Sequence, residues 1–212
     1  MTERAGEGND VVYARTSFVL NAGSHAELLT AISTAATDSL DLTGNELNNT
    51  IQGNDGINML RGGAGADYLV GFAGDDMIEG GSEDDRLLGG AGDDRLDGGA
   101  GKDRLEGGAG ADSFAFASAA HSASGAADQV WDFASGIDRL DLSAIDAIAG
   151  SAANDAFTFI GNSAFSNVAG QLRVQTVGGQ AHIFGDTNGD GLADFQIIVA
   201  NTTLVAAGDF IL

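Results

Sequence analysis

The chain has 212 residues, 43% of them hydrophobic, and a formal charge of −22 from 31 acidic side chains against nine Lys and Arg. That hydrophobic share argues against wholesale disorder, and the charge disfavours nucleic acid and anionic membrane while favouring multivalent cations. Cysteine and proline are absent, so there is no disulfide or thiolate metal site, and no apolar run reaches the roughly twenty residues of a membrane span.

Residues 1–43 read as an N-terminal lead, with strand-like pieces at Val11–Tyr13 and Ser17–Leu20 and one short helix, capping the first coil of a repeat array. The opening decapeptide lacks the apolar centre of a signal peptide.

From Gly44 to Ala115 the chain falls into eight consecutive nonapeptides. The first place of each is Gly, the sixth is Asn49, Asn58, Asp67, Asp76, Asp85, Asp94, Asp103 and Asp112, and the eighth is Ile51, Leu60, Leu69, Ile78, Leu87, Leu96, Leu105 and Phe114. Residues 6–12 form one more isolated unit, with Asp10 sixth and Val12 eighth. A flexible glycine-rich linker would not hold an apolar residue in register eight times. The first six places suit a turn, where glycine adopts backbone angles closed to residues with a Cβ. The last three suit a short strand with the eighth side chain inward and the seventh and ninth outward. Two nonapeptides then make one coil, and units eighteen residues apart stack on one side.

One inward residue in nine is too little to offset an ordering cost of about 1–2 kcal/mol per backbone residue, and stacked carboxylates repel. The segment holds eleven Asp and four Glu against five bases, a net of −10. A hard dication answers both problems. Ca²⁺ accepts six to eight oxygens in irregular geometry, whereas Mg²⁺ demands a tight octahedron. Calcium is therefore expected to supply much of the folding free energy. The expected carboxylates are Asp67, Asp76, Asp85, Asp94, Asp103 and Asp112, paired 67/85, 85/103, 76/94 and 94/112, with Asn49 and Asn58 in two weaker sites. The expected backbone donors are Gly62, Gly63, Gly65, Gly71, Ala73, Gly74, Gly80, Gly81, Gly89, Gly90, Gly92, Gly98, Gly99, Gly101, Gly107, Gly108 and Gly110. About four to eight ions are expected. Glu83 stands where the fourth-place Gly should be and marks the least regular turn.

The pattern G-G-x-G-x-D-x-U-x resembles the calcium-binding repeat of RTX proteins, which implies an all-β fold, a parallel β-roll. Downstream, residues 113–147 resemble the C-terminal segment of serralysin-type secreted metalloproteases. The matching residues are Phe114, Phe116, Asp128, Val130, Asp132, Phe133, Gly136, Asp138 and Leu140-Asp141-Leu142-Ser143. Related modules close mannuronan C5-epimerases and secreted lipases and glycanases. The resemblance covers about residues 44–212 and implies a roll over 44–115 continued by an antiparallel β-sandwich over 116–212. Asp128 and Asp132 resemble positions that bind an end-capping ion, or they form a turn.

Strands are expected in 157–165, 170–179, 180–186 and 193–200 from their alternation. Asp186, Asn188, Asp190 and Asp194 with Gly191 imitate part of an EF-hand loop, but Ile197 stands where a bidentate Glu belongs, so a tight hairpin is the better reading. The terminal Asp209-Phe210-Ile211-Leu212 resembles an uncleaved type I export signal, which implies an extracellular bacterial protein exported through an ABC apparatus. A chain that begins in a repeat is expected to be the C-terminal part of a larger one.

Catalysis is not expected. His25, His121 and His182 are scattered, without HExxH, a nucleophile elbow or a phosphate loop. Tyr68, Arg86 and Arg104 share one outward strip that suits an acidic polysaccharide, or simply a solvated sheet.

Overall fold

The computed structural model describes residues 8, 10–123 and 125–212. Residues 6, 7 and 9 of the isolated repeat at 6–12 lie outside them. The described strands are β1 (Val11–Ala14), β2 (Phe18–Val19), β3 (Leu28–Ala31), β4 (Leu40–Thr43), β5 (Thr50–Gln52), β6 (Asn58–Ala64) and β7 (Tyr68–Ala73). They continue as β8 (Met77–Ser82), β9 (Arg86–Ala91), β10 (Arg95–Ala100), β11 (Arg104–Ala109), β12 (Ser113–Ala115) and β13 (Asp128–Val130). The last are β14 (Arg139–Asp141), β15 (Thr158–Phe159), β16 (Gln171–Val177), β17 (Gln180–Asp186), β18 (Phe195–Val199) and β19 (Phe210–Ile211).

Through β14 the strands sort by parity, as two nonapeptides per coil require. One sheet runs β1-β3-β5-β7-β9-β11-β13-β18-β17-β16-β15, the other β19-β14-β12-β10-β8-β6-β4-β2. Pairing is parallel through the roll, and Leu69 lies beside Leu87 and Leu87 beside Leu105 in strict register. The eighth-place side chains therefore form two facing columns, one from Leu29 through Ile51, Leu69, Leu87 and Leu105 to Val130, the other from Leu42 through Leu60, Ile78, Leu96 and Phe114 to Leu140. All of them are buried, with no measurable exposure. An all-β roll is thus the fold of the chain.

Three features depart from expectation. Strands β6 to β11 are six or seven residues long, not three, because the first- to third-place residues stay in the ladder and pair across coils, as in Gly81 with Gly99, whereas β5 and β12 at the two ends of the array keep the expected three. Among the described residues of the lead the short helix expected before residue 43 does not occur; the one described helix is the 3₁₀ turn Ala207–Asp209. Residues 28–31 are strand β3 because Leu29 fills the inward column above Ile51, and that burial overrides helix propensity. The roll also extends past residue 115, since β13 and β14 add another rung to each sheet through longer connections.

The C-terminal end then changes direction. β17 is antiparallel to both β16 and β18, and the three continue the odd-numbered sheet through the parallel pair β13 and β18. β19 closes the other sheet on β14, bringing Phe210 beside Leu140. At the opposite end β1 and β2 each have, among the described residues, a neighbour on one side only, and Val11, Tyr13, Phe18 and Val19 are exposed.

Candidate metal centres

Each sixth-place side chain sits where one strand begins and the turn behind it ends, so its carboxylate lies between stacked coils. One oxygen is committed to a ladder. Asp67 Oδ1 accepts the Asn49 N–H at 2.6 Å, Asp85 Oδ1 accepts from Asp67 N at 2.8 Å, and Asp103 Oδ1 accepts from Asp85 N at 2.8 Å. On the other side Asp76 accepts from Asn58 N, Asp94 from Asp76 N and Asp112 from Asp94 N, at 2.7 to 3.0 Å. The four pairs expected from the spacing are thus joined rung to rung.

The second oxygen is different. Oδ2 of Asp67, Asp76, Asp85, Asp94 and Asp103 is buried and has no hydrogen-bond partner. Leaving an ionised oxygen dry and unpaired is costly. Burial accordingly pushes Asp85 up to about 8, Asp67, Asp76 and Asp94 to about 7, and Asp103 and Asp112 to about 6.

The surrounding backbone supplies further oxygens. A methyl group on Gly80 would collide with Asp85 Oδ2 and with the Gly98 carbonyl, so these two oxygens converge on one space. The same convergence joins Asp67 with Gly80, Asp76 with Gly89 and Asp94 with Gly107. The second- and fourth-place carbonyls also face the following coil: Gly63 O abuts Gly81, and Gly74 O abuts Gly92. Gly81 is obligatory on two counts, a φ of 123° and the want of space for a Cβ. Phe72 and Glu83 break the glycine pattern yet keep φ at 84° and 73°. Glu83 turns its carboxylate onto Gly65 N and Ser82 Oγ, which explains how its turn survives.

No cluster of three or more His, Cys, Asp or Glu forms among the described residues. The donor set is instead one or two carboxylates with several carbonyls. It contains only hard oxygens and is irregular, which fits Ca²⁺ better than Mg²⁺ or zinc.

Asn49 and Asn58 sit in the same ladder but satisfy themselves. The Asn49 amide donates to Ala26 O, and the Asn58 amide to Asn54 Oδ1 and Gly56 O. At the far end Asp128 continues one ladder, accepting Asp103 N at 2.9 Å, and burial raises it to about 8. Asp132 accepts Gly107 N and Gly108 N, the behaviour of a cap. Asp138 ends the other ladder, accepting Asp112 N and Ala134 N. Its place 26 residues after Asp112 hid it from a nine-residue period. A second ladder was also missed. Fifth-place Asp75, Asp84 and Asp93 accept from Asp93 N, Lys102 N and Ala111 N of the next coil, opposite in sense to the sixth-place bonds. The run Asp-Asp at 75–76, 84–85 and 93–94 was its signal.

In the 186–194 loop every carboxylate is taken by its own turn. Asp186 accepts Gly189 N and Gly191 N, and Asp194 accepts Thr187 N and Oγ1 and the Asn188 amide. It is a connection between β17 and β18, as the hairpin reading requires.

Tyr68, Arg86 and Arg104 do share one sheet face, and Trp131 extends the strip. Arg86 lies 5.4 Å from the Tyr68 ring and Arg104 lies 3.7 Å from the Trp131 ring. Both guanidinium groups, however, are bridged to Glu106.

A coiled stack of glycine-rich turns with oxygen-only sites defines an RTX-type β-roll module. Residues 7–212 match the family described as Peptidase M10 serralysin C terminal, and the chain belongs to that family. RTX modules of this family bind Ca²⁺. Comparison with curated proteins gives no match. Among solved structures, the chain is similar to the AlgE6R3 subunit of the Azotobacter vinelandii mannuronan C5-epimerase, with 24% identity, 78% of each chain covered and a TM-score of 0.45. It is also similar to the AlgE6R2 subunit of that enzyme, with 24% identity, 98% of this chain and 94% of that one covered and a TM-score of 0.44.

Proposed function

We propose that this module is a non-catalytic calcium-binding unit that folds outside the cell and supports type I secretion and folding of a larger extracellular bacterial protein. The observation that carries the reading is the set of five buried, partnerless Oδ2 atoms. Calcium at Asp67, Asp76, Asp85, Asp94, Asp103 and Asp112, with Asp128 at the end and turn carbonyls completing each shell, would neutralise charge that otherwise opposes folding. Where free calcium is scarce the chain stays open; where it is plentiful the roll closes.

The C terminus supports export before folding. Asp209 is buried and accepts Ser135 Oγ, Gly136 N and Ala206 N, while Phe210 is buried beside Leu140. Ile211 and Leu212 stay exposed, so a signal made of Asp209–Leu212 is legible in full to a secretion apparatus only in the unfolded chain.

Far-ultraviolet circular dichroism of chelator-stripped protein, titrated with calcium and separately with magnesium, tests the central point. Cooperative gain of β signal with calcium and not magnesium is expected. A chain equally folded in chelator would overturn it.

The second reading is an acidic-polysaccharide module using Tyr68, Arg86 and Arg104. The aromatic and Arg ladder running on to Trp131 favours it, and Glu106, which offsets both guanidinium charges, weighs against it. Affinity for alginate-like polymers, lost in an R86Q/R104Q variant, is the expected outcome if the strip binds.

A further inference from the structure

The fifth-place ladder reaches the metal spaces through the backbone. Asp93 N donates to Asp75 Oδ1 at 2.9 Å, Lys102 N to Asp84 Oδ1 at 2.9 Å and Ala111 N to Asp93 Oδ1 at 2.8 Å. Asn48, fifth in its own unit, does the same for Ala66 N at 2.9 Å. Each of these N–H groups shares a peptide plane with a fourth-place carbonyl, that of Gly92, Gly101, Gly110 and Gly65 in the same order. In a trans peptide the N–H and the C=O point in opposite directions. An N–H held by the preceding coil therefore aims the adjoining carbonyl at the following one, and Gly92 O does abut Gly110 there.

Those planes need holding. A glycine on one side leaves the peptide free to rotate, and φ at Gly65, Gly92, Gly101 and Gly110 is 95°, 135°, 155° and 149°. Among the described residues none of the four carbonyls accepts a backbone hydrogen bond. By contrast Gly56 O, fourth in the Asn58 turn, is taken by the Asn58 amide. Two turns lack the lock. Ile57 stands one coil before Asp75 and Ala66 one coil before Asp84, and neither side chain offers an acceptor to the N–H that follows it.

We propose that Asn48, Asp75, Asp84 and Asp93 are positioning residues for calcium. Each fixes, through one peptide plane, a carbonyl donor of the next coil, and none touches an ion itself. What this place requires is an acceptor, not a charge. That separates it from the sixth place, where the charge on Oδ2 faces the metal. The proposal rests on the reading that calcium closes the roll.

The test compares the full chain with D75A/D93A, D75N/D93N and A66N. Calcium titrations are followed by circular dichroism in about 0.15 M salt, which screens exposed charges beyond roughly 8 Å. D75A/D93A is expected to raise the calcium midpoint roughly tenfold, the scale of two lost exposed hydrogen bonds. D75N/D93N is expected to stay within about twofold of the parent, because the amide oxygen still accepts, as Asn48 does. A66N completes the ladder from Asn48 to Asp84 and is expected to lower the midpoint roughly threefold. Terbium, a luminescent stand-in for calcium, supplies the second readout, since each water in its shell shortens the excited-state lifetime. At saturation D75A/D93A is expected to show a shorter lifetime than the parent, as water replaces displaced carbonyls. A loss of stability alone would leave that lifetime unchanged.

An unaltered midpoint and lifetime in D75A/D93A would overturn the proposal. So would equal weakening by D75N/D93N, which would make the fifth place a matter of charge. Should D75A/D93A fail to fold at any calcium concentration, A66N decides, and a midpoint no lower than the parent's would overturn it. A parent chain indifferent to calcium would instead sink the folding reading itself, and this proposal with it.

Discussion

Replacing Asp85 by Asn separates the two jobs of the sixth-place carboxylate. The amide oxygen can still accept the Asp67 N–H, so the ladder bond survives, and Asn49 and Asn58 show that the position tolerates Asn. What changes is the charge on Oδ2. Burial raises Asp85 to about 8 from its ordinary 3.8, a shift of about four units, or some 5 kcal/mol unscreened at 1.36 kcal/mol per unit. Water at the loop rim screens part of this, and about 2 kcal/mol is a reasonable remainder. In chelator at pH 8 the variant is therefore expected to be more folded than the parent, by roughly that amount. In calcium the order reverses. Asp85 belongs to both the 67/85 and 85/103 spaces, so its loss is expected to raise the calcium midpoint about tenfold or more, ligand charge being a main determinant of affinity. The assay is a calcium titration by circular dichroism on both proteins, with urea unfolding in chelator at low temperature. A variant that gains nothing without calcium and loses nothing with it would refute the assignment of Oδ2 to a metal.

The same burial makes pH a partial substitute for metal. Seven raised carboxylates, Asp67, Asp76, Asp85, Asp94, Asp103, Asp112 and Asp128, are best accommodated protonated, so their contribution to metal-free stability is complete below about 4 and lost as pH rises through about 6 to 8. Chelated protein is expected to gain β signal as pH falls from 8 to 5; a loss over that window would contradict the shifts. Asp141 and Asp209, both lowered by hydrogen bonds against the larger pull of burial, oppose this only at more acid pH. Leu87→Ala empties a fully buried column position between Leu69 and Leu105 and is expected to cost about 2–5 kcal/mol in calcium-saturated denaturation. Gly81→Ala, with φ at 123° and the Gly63 carbonyl in its way, is expected to abolish the cooperative calcium transition, whereas Gly178→Ala, at φ 60° in open space, is expected to cost about 1 kcal/mol. Comparable losses in the two would refute the packing argument.

The array was legible because its period is written in residues with no alternative use: a Gly wherever coils touch, an apolar residue at the column, a carboxylate at the rung. Where those markers thin out, so does legibility. Residues 28–31 carry no glycine, and their helix-like composition concealed that Leu29 completes the inward column. β13 and β14 come after connections that put Asp128 25 residues after Asp103 and Asp138 26 after Asp112, so a fixed period ends too early. Strand length was underestimated because glycines in places one to three look like turn residues in one dimension, yet pair across coils in three. The partner of Arg86 and Arg104 was invisible for another reason. Glu106 stands in an outward place of the same strip, and only the stacking brings it to both.

The parity of the strands has a consequence for how such a chain can change length. Each coil spends eighteen residues and returns to the sheet it left, so cutting out or duplicating two nonapeptides preserves every downstream side assignment. A single nonapeptide does not. It would send each later strand to the opposite sheet, delivering β18 to the column that β19 occupies and the reversed strands β16–β18 to the wrong face. The roll is in this sense counted in pairs: indels of eighteen are grammatical, indels of nine are frameshifts written in space.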